Sequence, residues 1–222
     1  MRKKMFQAVI FDMDGVLIDS EVFNFERRLA YLRSVGVTPG TTDIQDFLGQ
    51  SAETKWQLVV PDPAERARVR PGFYPYKAAH PITYADHVMP GIQATARWLH
   101  AQGIRLAVAS AGSRAEIDRM LTATGLAPYF QVILSGTELT ENKPNPQIYR
   151  LAVTHLAVPP AACLVIEDSR IGITAAKRAG LTVWALQPKQ YHIDQSQADW
   201  QFADYEAFRR HFAGVQRSAN LG

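Results

Sequence analysis

Two aspartates one residue apart, Asp12 and Asp14, are the first residues whose types and spacing could support chemistry. They follow the apolar run 8–11 and precede Gly15, a pattern that predicts a short buried strand ending in a loop. Side chains alternate along extended backbone, so both carboxylates point the same way at the carboxyl end of the strand. Two like charges so placed favour a divalent cation, and oxygen ligands favour a hard ion such as Mg²⁺. The alternative is that one aspartate caps the next helix and the other is solvated.

Polar or small residues stand at two further predicted strand ends: Ser110, Ala111 and Gly112 after 104–109, and Glu167 and Asp168 after 163–166. In a parallel sheet, ligands bind at the carboxyl ends of the strands, so we expect these residues to lie near Asp12. A hydroxyl and nearby backbone N–H groups could hold phosphate oxygens, and the paired carboxylates would suit a metal. Taken alone, Ser110 could simply cap the following helix.

Lys143 is the candidate cation for the same edge of the sheet. It precedes Pro144 and Pro146, which stiffen the backbone before a predicted helix. An ammonium group held rigidly near a carboxylate nucleophile and a phosphate would offset their negative charge. The alternative is an ordinary surface lysine in a turn.

The elements that must position these side chains follow from the apolar pattern. Strands are predicted at 8–11, 104–109, 131–135, 163–166, 182–186 and within 199–204, and helices at 21–35, 53–60, 92–102, 114–124, 145–155, 172–178 and 205–212. Continuous apolar strands alternating with helices predict an α/β fold with a parallel sheet covered on both faces. Helices without a strand fill residues 20–86, which predicts an inserted second domain. Prolines obscure the pattern over 70–89, and we expect 218–222 to fray.

Composition narrows the class of protein. The 222 residues are 47% hydrophobic, enough for one good-sized core with a smaller second unit. The net charge of +3 is too small to indicate a nucleic-acid-binding surface. Cys163 lies in an apolar run and is expected to be a reduced core residue. The basic residues 1–4 are followed by too short an apolar stretch for a signal peptide or a membrane span, so we expect a soluble cytoplasmic protein without a membrane partner.

Four segments, in order, resemble the motifs of the haloacid dehalogenase-like (HAD) hydrolase superfamily: Asp12-Met13-Asp14-Gly15-Val16, Ser110, Lys143-Pro144 and Glu167-Asp168-Ser169-Arg170-Ile171-Gly172. The resemblance covers nearly the whole chain. It implies a Rossmann-like core formed by residues 1–18 and 88–222. The helical insert at 19–87 resembles the C1 cap of the β-phosphoglucomutase-like and phosphoglycolate phosphatase-like subfamily.

The resemblance also implies a role for each motif residue. Asp12 would attack phosphorus and form an aspartyl phosphate, while Asp14 would protonate the leaving oxygen and later activate the acceptor. Ser110 and Lys143 would hold the phosphate. Mg²⁺ would bind the side chains of Asp12 and Asp168 and the backbone carbonyl of Asp14, with Glu167 as an additional ligand or a neighbour of the ligands.

Asn24 bears on which acceptor receives the phosphate. β-Phosphoglucomutases carry a histidine at this position, so Asn24 favours water and a phosphatase acting on a small phosphorylated metabolite, a sugar or polyol phosphate. The alternatives are a hexose phosphate mutase and a non-catalytic phosphometabolite-binding protein. The expected substrate contacts are Asn24, Gly49, Gln50, Ser51, Lys77, Ala111 and Gly112. We expect a monomer, with a homodimer as the alternative.

Overall fold

Six parallel strands form one sheet in a computed structural model of the chain, which describes residues 6–189 and 191–220. The strands are β1 (Ala8–Phe11), β2 (Arg105–Ser110), β3 (Phe130–Ser135), β4 (Cys163–Glu167), β5 (Thr182–Leu186) and β6 (Trp200–Phe202). Their order across the sheet is β3-β2-β1-β4-β5-β6. The predicted parallel α/β fold is confirmed. The basic residues 1–4 and residues 221 and 222 lie outside the described part of the chain.

Eight α-helices accompany the sheet in the described residues. They are α1 (Glu21–Ser34), α2 (Ala52–Val59), α3 (Pro63–Ala79), α4 (Ile92–Ala101), α5 (Arg114–Ala123), α6 (Gln147–Leu156), α7 (Arg170–Arg178) and α8 (Tyr205–Asn220). Ser113 and Glu116 form a capping box at the start of α5, and Ser169 caps α7 by accepting the N–H of Gly172. Both helices therefore begin directly after the polar residues that end β2 and β4.

Strand β1 is central and is buried on both faces. Val9 and Phe11 pack into one hydrophobic cluster with α4, α5 and α8, whereas Ala8 and Ile10 pack into a second cluster with α6 and α7. This alternation follows from the two-residue period of extended backbone. Because helices cover both faces, the polar ends of the strands remain the accessible edge of the sheet.

Helices α1–α3 enclose a third hydrophobic cluster, which includes Phe25, Leu32, Trp56 and Phe73. The two chain segments that join these helices to the sheet run side by side. Ile18 bridges to Val88, and the N–H of Asp19 donates to the carbonyl of His87 over 2.7 Å. The helical segment therefore has a core of its own and leaves the sheet through paired connections.

Two helices extend further than the sequence pattern indicated. Helix α3 continues to Ala79 through Pro71 and Pro75, within the segment 70–89 where prolines obscured the pattern. Both prolines are exposed, so the carbonyls that lose their partners can face water, and Val69 and Phe73 keep the buried face continuous. Helix α8 extends through residues 218–220, which were expected to fray.

The added length of α8 is anchored by Gln216. Its side chain accepts a hydrogen bond from the N–H of Phe6 over 3.1 Å and donates to the Phe6 carbonyl over 2.7 Å, at the entrance to β1. Within the described residues, no helix combines the length and apolar character that crossing a membrane requires. Cys163 is buried as a free thiol in β4, as predicted.

Candidate active site

The carboxyl ends of β1, β2 and β4 bring the predicted polar residues together. Asp12 directly follows β1, Ser110 ends β2, Glu167 ends β4 and Asp168 follows it. All four are less than one-tenth exposed. The N–H of Asp12 donates to the carbonyl of Ile166 over 3.0 Å, which fixes the end of β1 against β4. The parallel topology thus concentrates three carboxylates at one buried point.

Lys143 reaches this point from the loop before α6 and is itself buried. Its ammonium donates to Asp12 Oδ1 and Glu167 Oε1, each over 2.7 Å, and to the carbonyl of Ala109 over 2.9 Å. Burial disfavours the charged form, but the two carboxylates together raise the pKa of Lys143 well above its usual range. Lys143 therefore stays protonated and connects the ends of β1, β2 and β4.

Glu167 accepts five hydrogen bonds. Lys143 Nζ and the hydroxyl of Tyr149 donate to Oε1, each over 2.7 Å, while Oε2 accepts the N–H of Asp168, the N–H of Ser169 and the hydroxyl of Ser169. Burial opposes ionisation, yet Lys143 and these hydrogen bonds lower the pKa of Glu167. A Cβ at Gly172 would lie 1.7 Å from Oε1, so only glycine leaves room for this carboxylate. Both oxygens are already occupied by protein donors.

Asp168 differs from Glu167 because its carboxylate makes no hydrogen bond or ion pair within the described residues, although it is only 4% exposed. One oxygen each from Asp12, Glu167 and Asp168 lie within 4.8 Å of one another. Burial and the neighbouring carboxylates raise the pKa of Asp168 well above its usual range, and burial raises the pKa of Asp12 to about 7 although Lys143 opposes this. A Cβ at Gly15 would lie 2.1 Å from Asp168 Oδ2. This oxygen cluster, in which the Asp168 carboxylate has no partner among the described residues, fits a hard divalent cation.

Asp14 lies beside this cluster and lines both cavities at the site. The hydroxyl of Ser20, buried at the start of α1, donates a hydrogen bond to Asp14 Oδ1. Burial raises the pKa of Asp14, and the Ser20 hydrogen bond opposes that shift. The side chain of Asp14 is thus oriented by the helical segment, whereas Asp12 is held by the sheet.

The loop after β2 carries the hydroxyl and backbone N–H groups that were expected to hold phosphate. The N–H of Gly112 donates to Ser110 Oγ over 3.0 Å, which leaves the Ser110 hydroxyl hydrogen available for another acceptor. Ser135 Oγ donates to the carbonyl of Gly112 over 2.7 Å and supports the turn. Ala111 lines both cavities. The loop is therefore held by β3 at the mouth of the site.

A cavity of about 240 Å³ lies between this polar edge of the sheet and the helical segment, and a larger one of about 1140 Å³ adjoins it. The smaller is lined by Asp12, Asp14, Lys143 and Asp168 on one side. Of the expected substrate contacts on the helical side, Asn24, Gly49, Gln50 and Lys77 line this cavity. Ser51 instead caps α2 by accepting the N–H of Thr54 over 3.1 Å.

Two of these contacts are already engaged by protein groups. Lys77 forms an ion pair with Glu116 of α5, so it also connects the helical segment to the core. The Asn24 side-chain oxygen accepts a hydrogen bond from Arg27 Nη2 over 2.7 Å. The amide nitrogen of Asn24 therefore remains the group through which it can act on a ligand.

Among the residues of the site that carried no predicted role are Ser20, Glu116 and Tyr149. Ser20 reads as an ordinary N-cap, and Glu116 is explained locally by the capping box with Ser113. Tyr149 lies on the buried face of α6, where an aromatic residue is expected to pack. A tyrosine five residues after Pro144 was the only signal, and spacing alone does not reveal its carboxylate partner.

Comparisons with known proteins agree with this geometry. A family model described as haloacid dehalogenase-like hydrolase matches residues 6–180. The chain is 31% identical to a phosphorylated carbohydrates phosphatase of Thermotoga maritima over 181 residues, covering 79% of this chain and 82% of the relative. It is 30% identical to hexitol phosphatase B of Escherichia coli over 176 residues, covering 78% and 79%.

A solved structure extends the likeness to three dimensions. A variant of CbbY from Rhodobacter sphaeroides, crystallised with xylulose 1,5-bisphosphate, superposes with a TM-score of 0.68 and 28% identity over 90% of this chain and 95% of that one.

Proposed function

Because the chain belongs to the haloacid dehalogenase-like hydrolase family, as its four motifs predicted, we propose that it is a Mg²⁺-dependent phosphatase of small phosphorylated metabolites. The observation that carries this proposal is the buried contact of Asp12 with Lys143 beside Asp168, at the edge of the sheet where ligands bind. Relatives named as carbohydrate and hexitol phosphatases support a sugar or polyol phosphate as the substrate.

We assign the nucleophile to Asp12. Its Oδ1 is bound by Lys143, so Oδ2 is the oxygen available to attack phosphorus in line with the leaving alkoxide. The bond from phosphorus to the leaving oxygen breaks as the aspartyl phosphate forms. Lys143 keeps its proton and offsets charge on the carboxylate and on the transferring group. Glu167 and Tyr149 act as positioning residues because they hold Lys143 and touch no reacting atom.

Asp14 is the proposed acid and base. It lies two residues beyond the nucleophile and borders the cavity from which a leaving group departs and water enters. In the first step it would give a proton to the leaving oxygen. In the second it would take one from the water that attacks phosphorus, while the bond from phosphorus to Asp12 Oδ2 breaks and phosphate leaves. The hydrogen bond from Ser20 would hold Asp14 in the orientation that both transfers need.

Ser110, Ala111 and Gly112 are the proposed phosphate cradle. The free hydroxyl hydrogen of Ser110 and the N–H of Ala111 can donate to non-bridging phosphate oxygens. The proposed Mg²⁺ ligands are the side chains of Asp12 and Asp168 and the backbone carbonyl of Asp14. When bound, Mg²⁺ would neutralise part of the charge shared by the phosphate and the carboxylates. Glu167 is less suited as a ligand, because both of its oxygens already accept hydrogen bonds.

We also propose that residues 19–87 form a cap domain over a core of residues 1–18 and 88–222. The separate hydrophobic cluster and the paired connections at Ile18 and Val88 support this division. Asn24 of the cap faces the cavity with an amide, which neither accepts nor releases a proton at neutral pH. This favours water over a sugar hydroxyl as the phosphate acceptor and therefore a phosphatase over a mutase.

The test is phosphate release by the purified full-length chain from p-nitrophenyl phosphate and a panel of sugar and polyol phosphates, with and without Mg²⁺. We expect chelation of the metal to abolish turnover and Asp12→Asn to lower kcat by at least about 10³-fold, because the amide is not a nucleophile. Thermal unfolding of the variant serves as the control for folding. Unchanged turnover in Asp12→Asn would refute the assignment. Conversion of β-glucose 1-phosphate to the 6-phosphate without phosphate release would favour the mutase.

A further inference from the structure

Most of the basic side chains around the smaller cavity come from the helical segment. Five basic side chains line this cavity: Arg27, Arg28, Lys55, Lys77 and Lys143. A phosphate ester bound at Asp12 would bring its own negative charge to the edge of the sheet. The other end of the substrate could bind whichever of these cations still has free hydrogen-bond donors.

Four of the five are engaged by protein acceptors. Lys143 binds Asp12 and Glu167, Lys55 binds both oxygens of Glu21, Lys77 pairs with Glu116, and Arg27 donates to the carbonyl of His80 and to Asn24. The three lysines are paired with carboxylates, and Arg27 donates from both terminal nitrogens, although its Nε is buried without a partner, as is the Nε of Arg28. They contribute shape and electrostatic potential to the cavity.

Arg28 is the exception. It makes no hydrogen bond or ion pair to any part of the chain that the structure describes, and its Nε is buried without a partner. Its guanidinium instead lies over three rings, 5.7 Å from the centroid of Phe47, 5.5 Å from Trp56 and 5.4 Å from Phe73. Aromatic faces attract the cation, but they do not accept hydrogen bonds from the N–H groups that lie in the plane of the guanidinium.

Arg28 stays charged although its surroundings lower its pKa. Burial among the rings lowers the pKa of Arg28 to about 10, so the side chain is protonated at neutral pH. The carboxylate that acts most strongly on it is Glu21, whose two oxygens are already bound by Lys55. Arg28 is only partly exposed and its Nε donor is unfilled, so an anionic ligand in the cavity that supplies acceptors would stabilise it.

We propose that Arg28 binds a second negatively charged group of the substrate, a phosphate or a carboxylate, while the first phosphate lies at Asp12. The preferred substrates are then phosphate esters with two anionic ends rather than neutral sugar monophosphates. The three rings hold the guanidinium at the cavity wall, and a guanidinium can present two parallel N–H groups to such an anion. This inference rests on the proposed phosphatase function and adds a specificity to it.

The experiment compares matched substrates that differ in the second charge. Fructose 1,6-bisphosphate against fructose 1-phosphate tests a phosphate, and 3-phosphoglycerate against glycerol 3-phosphate tests a carboxylate. We expect the wild-type chain to have the higher kcat/KM for the doubly anionic member of at least one pair. Arg28→Met keeps an apolar stem between the rings but removes the charge and should reduce that preference about 10- to 100-fold. Arg28→Lys should restore part of it.

Arg33→Met is the matched control. Arg33 lies on the same helix, is exposed and lines neither cavity, so this variant loses the same formal charge away from the site. Its substrate preference should equal that of the wild type. Binding of each substrate pair to Asp12→Asn, with and without Arg28→Met, gives a second readout by calorimetry that needs no turnover.

The outcomes separate the two proposals. An equal preference in wild type and Arg28→Met, or a wild type that favours the neutral member of both pairs, would overturn the role of Arg28 while leaving the phosphatase in place. A folded wild type that hydrolyses no ester, p-nitrophenyl phosphate included, would overturn the proposed function and this inference with it. If Arg28→Met fails to fold, Arg28→Lys and Arg28→Gln carry the same comparison.

Discussion

Tyr149→Phe isolates the hydrogen bond by which α6 supports the buried charge network. Tyr149 and Glu167 are both fully buried, and the hydroxyl donates to Oε1 over 2.7 Å. The substitution keeps the ring and its position 4.9 Å from Lys143 Nζ, so the packing and the cation–π contact persist. Only the donor to the carboxylate is removed.

The expected loss of stability depends on the hydrogen bonds that Glu167 keeps in the variant. Hydrogen bonds to charged groups contribute about 1.5–3 kcal/mol, against about 0.5–1.5 kcal/mol between neutral groups. Four other donors still hold Glu167, so the carboxylate is not left without partners. We therefore expect Tyr149→Phe to lower the free energy of unfolding by about 2 kcal/mol and the Tm by about 4–8 °C.

Tyr205→Phe is the matched control for this measurement. Tyr205 is equally buried, but its hydroxyl donates to a neutral acceptor, the carbonyl of Val16, over 2.8 Å. Its loss should cost about 1 kcal/mol. Urea unfolding of the three proteins, followed by circular dichroism and compared at equal slope, gives both values. The reasoning fails if Tyr149→Phe costs no more than Tyr205→Phe.

Two other predictions concern the site and the core. Gly15→Ala introduces a Cβ that would lie 2.1 Å from Asp168 Oδ2, at a position where the backbone φ is +79°. We expect kcat/KM to fall at least about 100-fold while the fold is retained. A loss below tenfold would contradict the close contact between residue 15 and Asp168. Burial raises the pKa of Cys163 from 9.0 to about 11, so Ellman's reagent at pH 8 should react at least about 100-fold more slowly with the folded chain than with the unfolded one. The unfolded thiol ionises first, so the stability contributed by Cys163 is complete below pH 9 and is lost as the pH rises to about 11. Equal thiol reactivity in both states would show that β4 is open.

The fold was predictable where the sequence pattern is local. Apolar runs predicted β1 to β5 to within one residue at each end, because buried parallel strands are largely hydrophobic, whereas β6 was placed only within 199–204. The pattern failed in α3, where Pro71 and Pro75 normally interrupt a helix and only their exposure on the finished surface makes them tolerable. It also failed at the end of α8, which is stabilised by contacts of Gln216 with Phe6 at the other end of the chain.

The site, too, was predictable from the sequence only in part. The placement of Asp12, Ser110 and Asp168 at one edge follows from parallel topology, so sequence sufficed. The partnership of Lys143 with Glu167 depends on how a loop and a strand end meet, and no spacing encodes it. Arg28 shows the limit most clearly, because on the sequence it is one of two adjacent arginines in an amphipathic helix. Its unfilled donors become evident only when the three rings around it are in place.

The central position of β1 has a consequence for how the protein is made. This strand is the first to leave the ribosome, yet its two neighbours are β2, which follows the whole helical segment, and β4, which comes later still. Until β4 has been synthesised, one side of β1 has no partner, and Asp12 cannot meet Asp168. The helical segment, in contrast, can bury its own cluster early from contacts close in sequence. Nascent chains should therefore carry a folded helical segment beside an unpaired, aggregation-prone strand, and the catalytic edge assembles last.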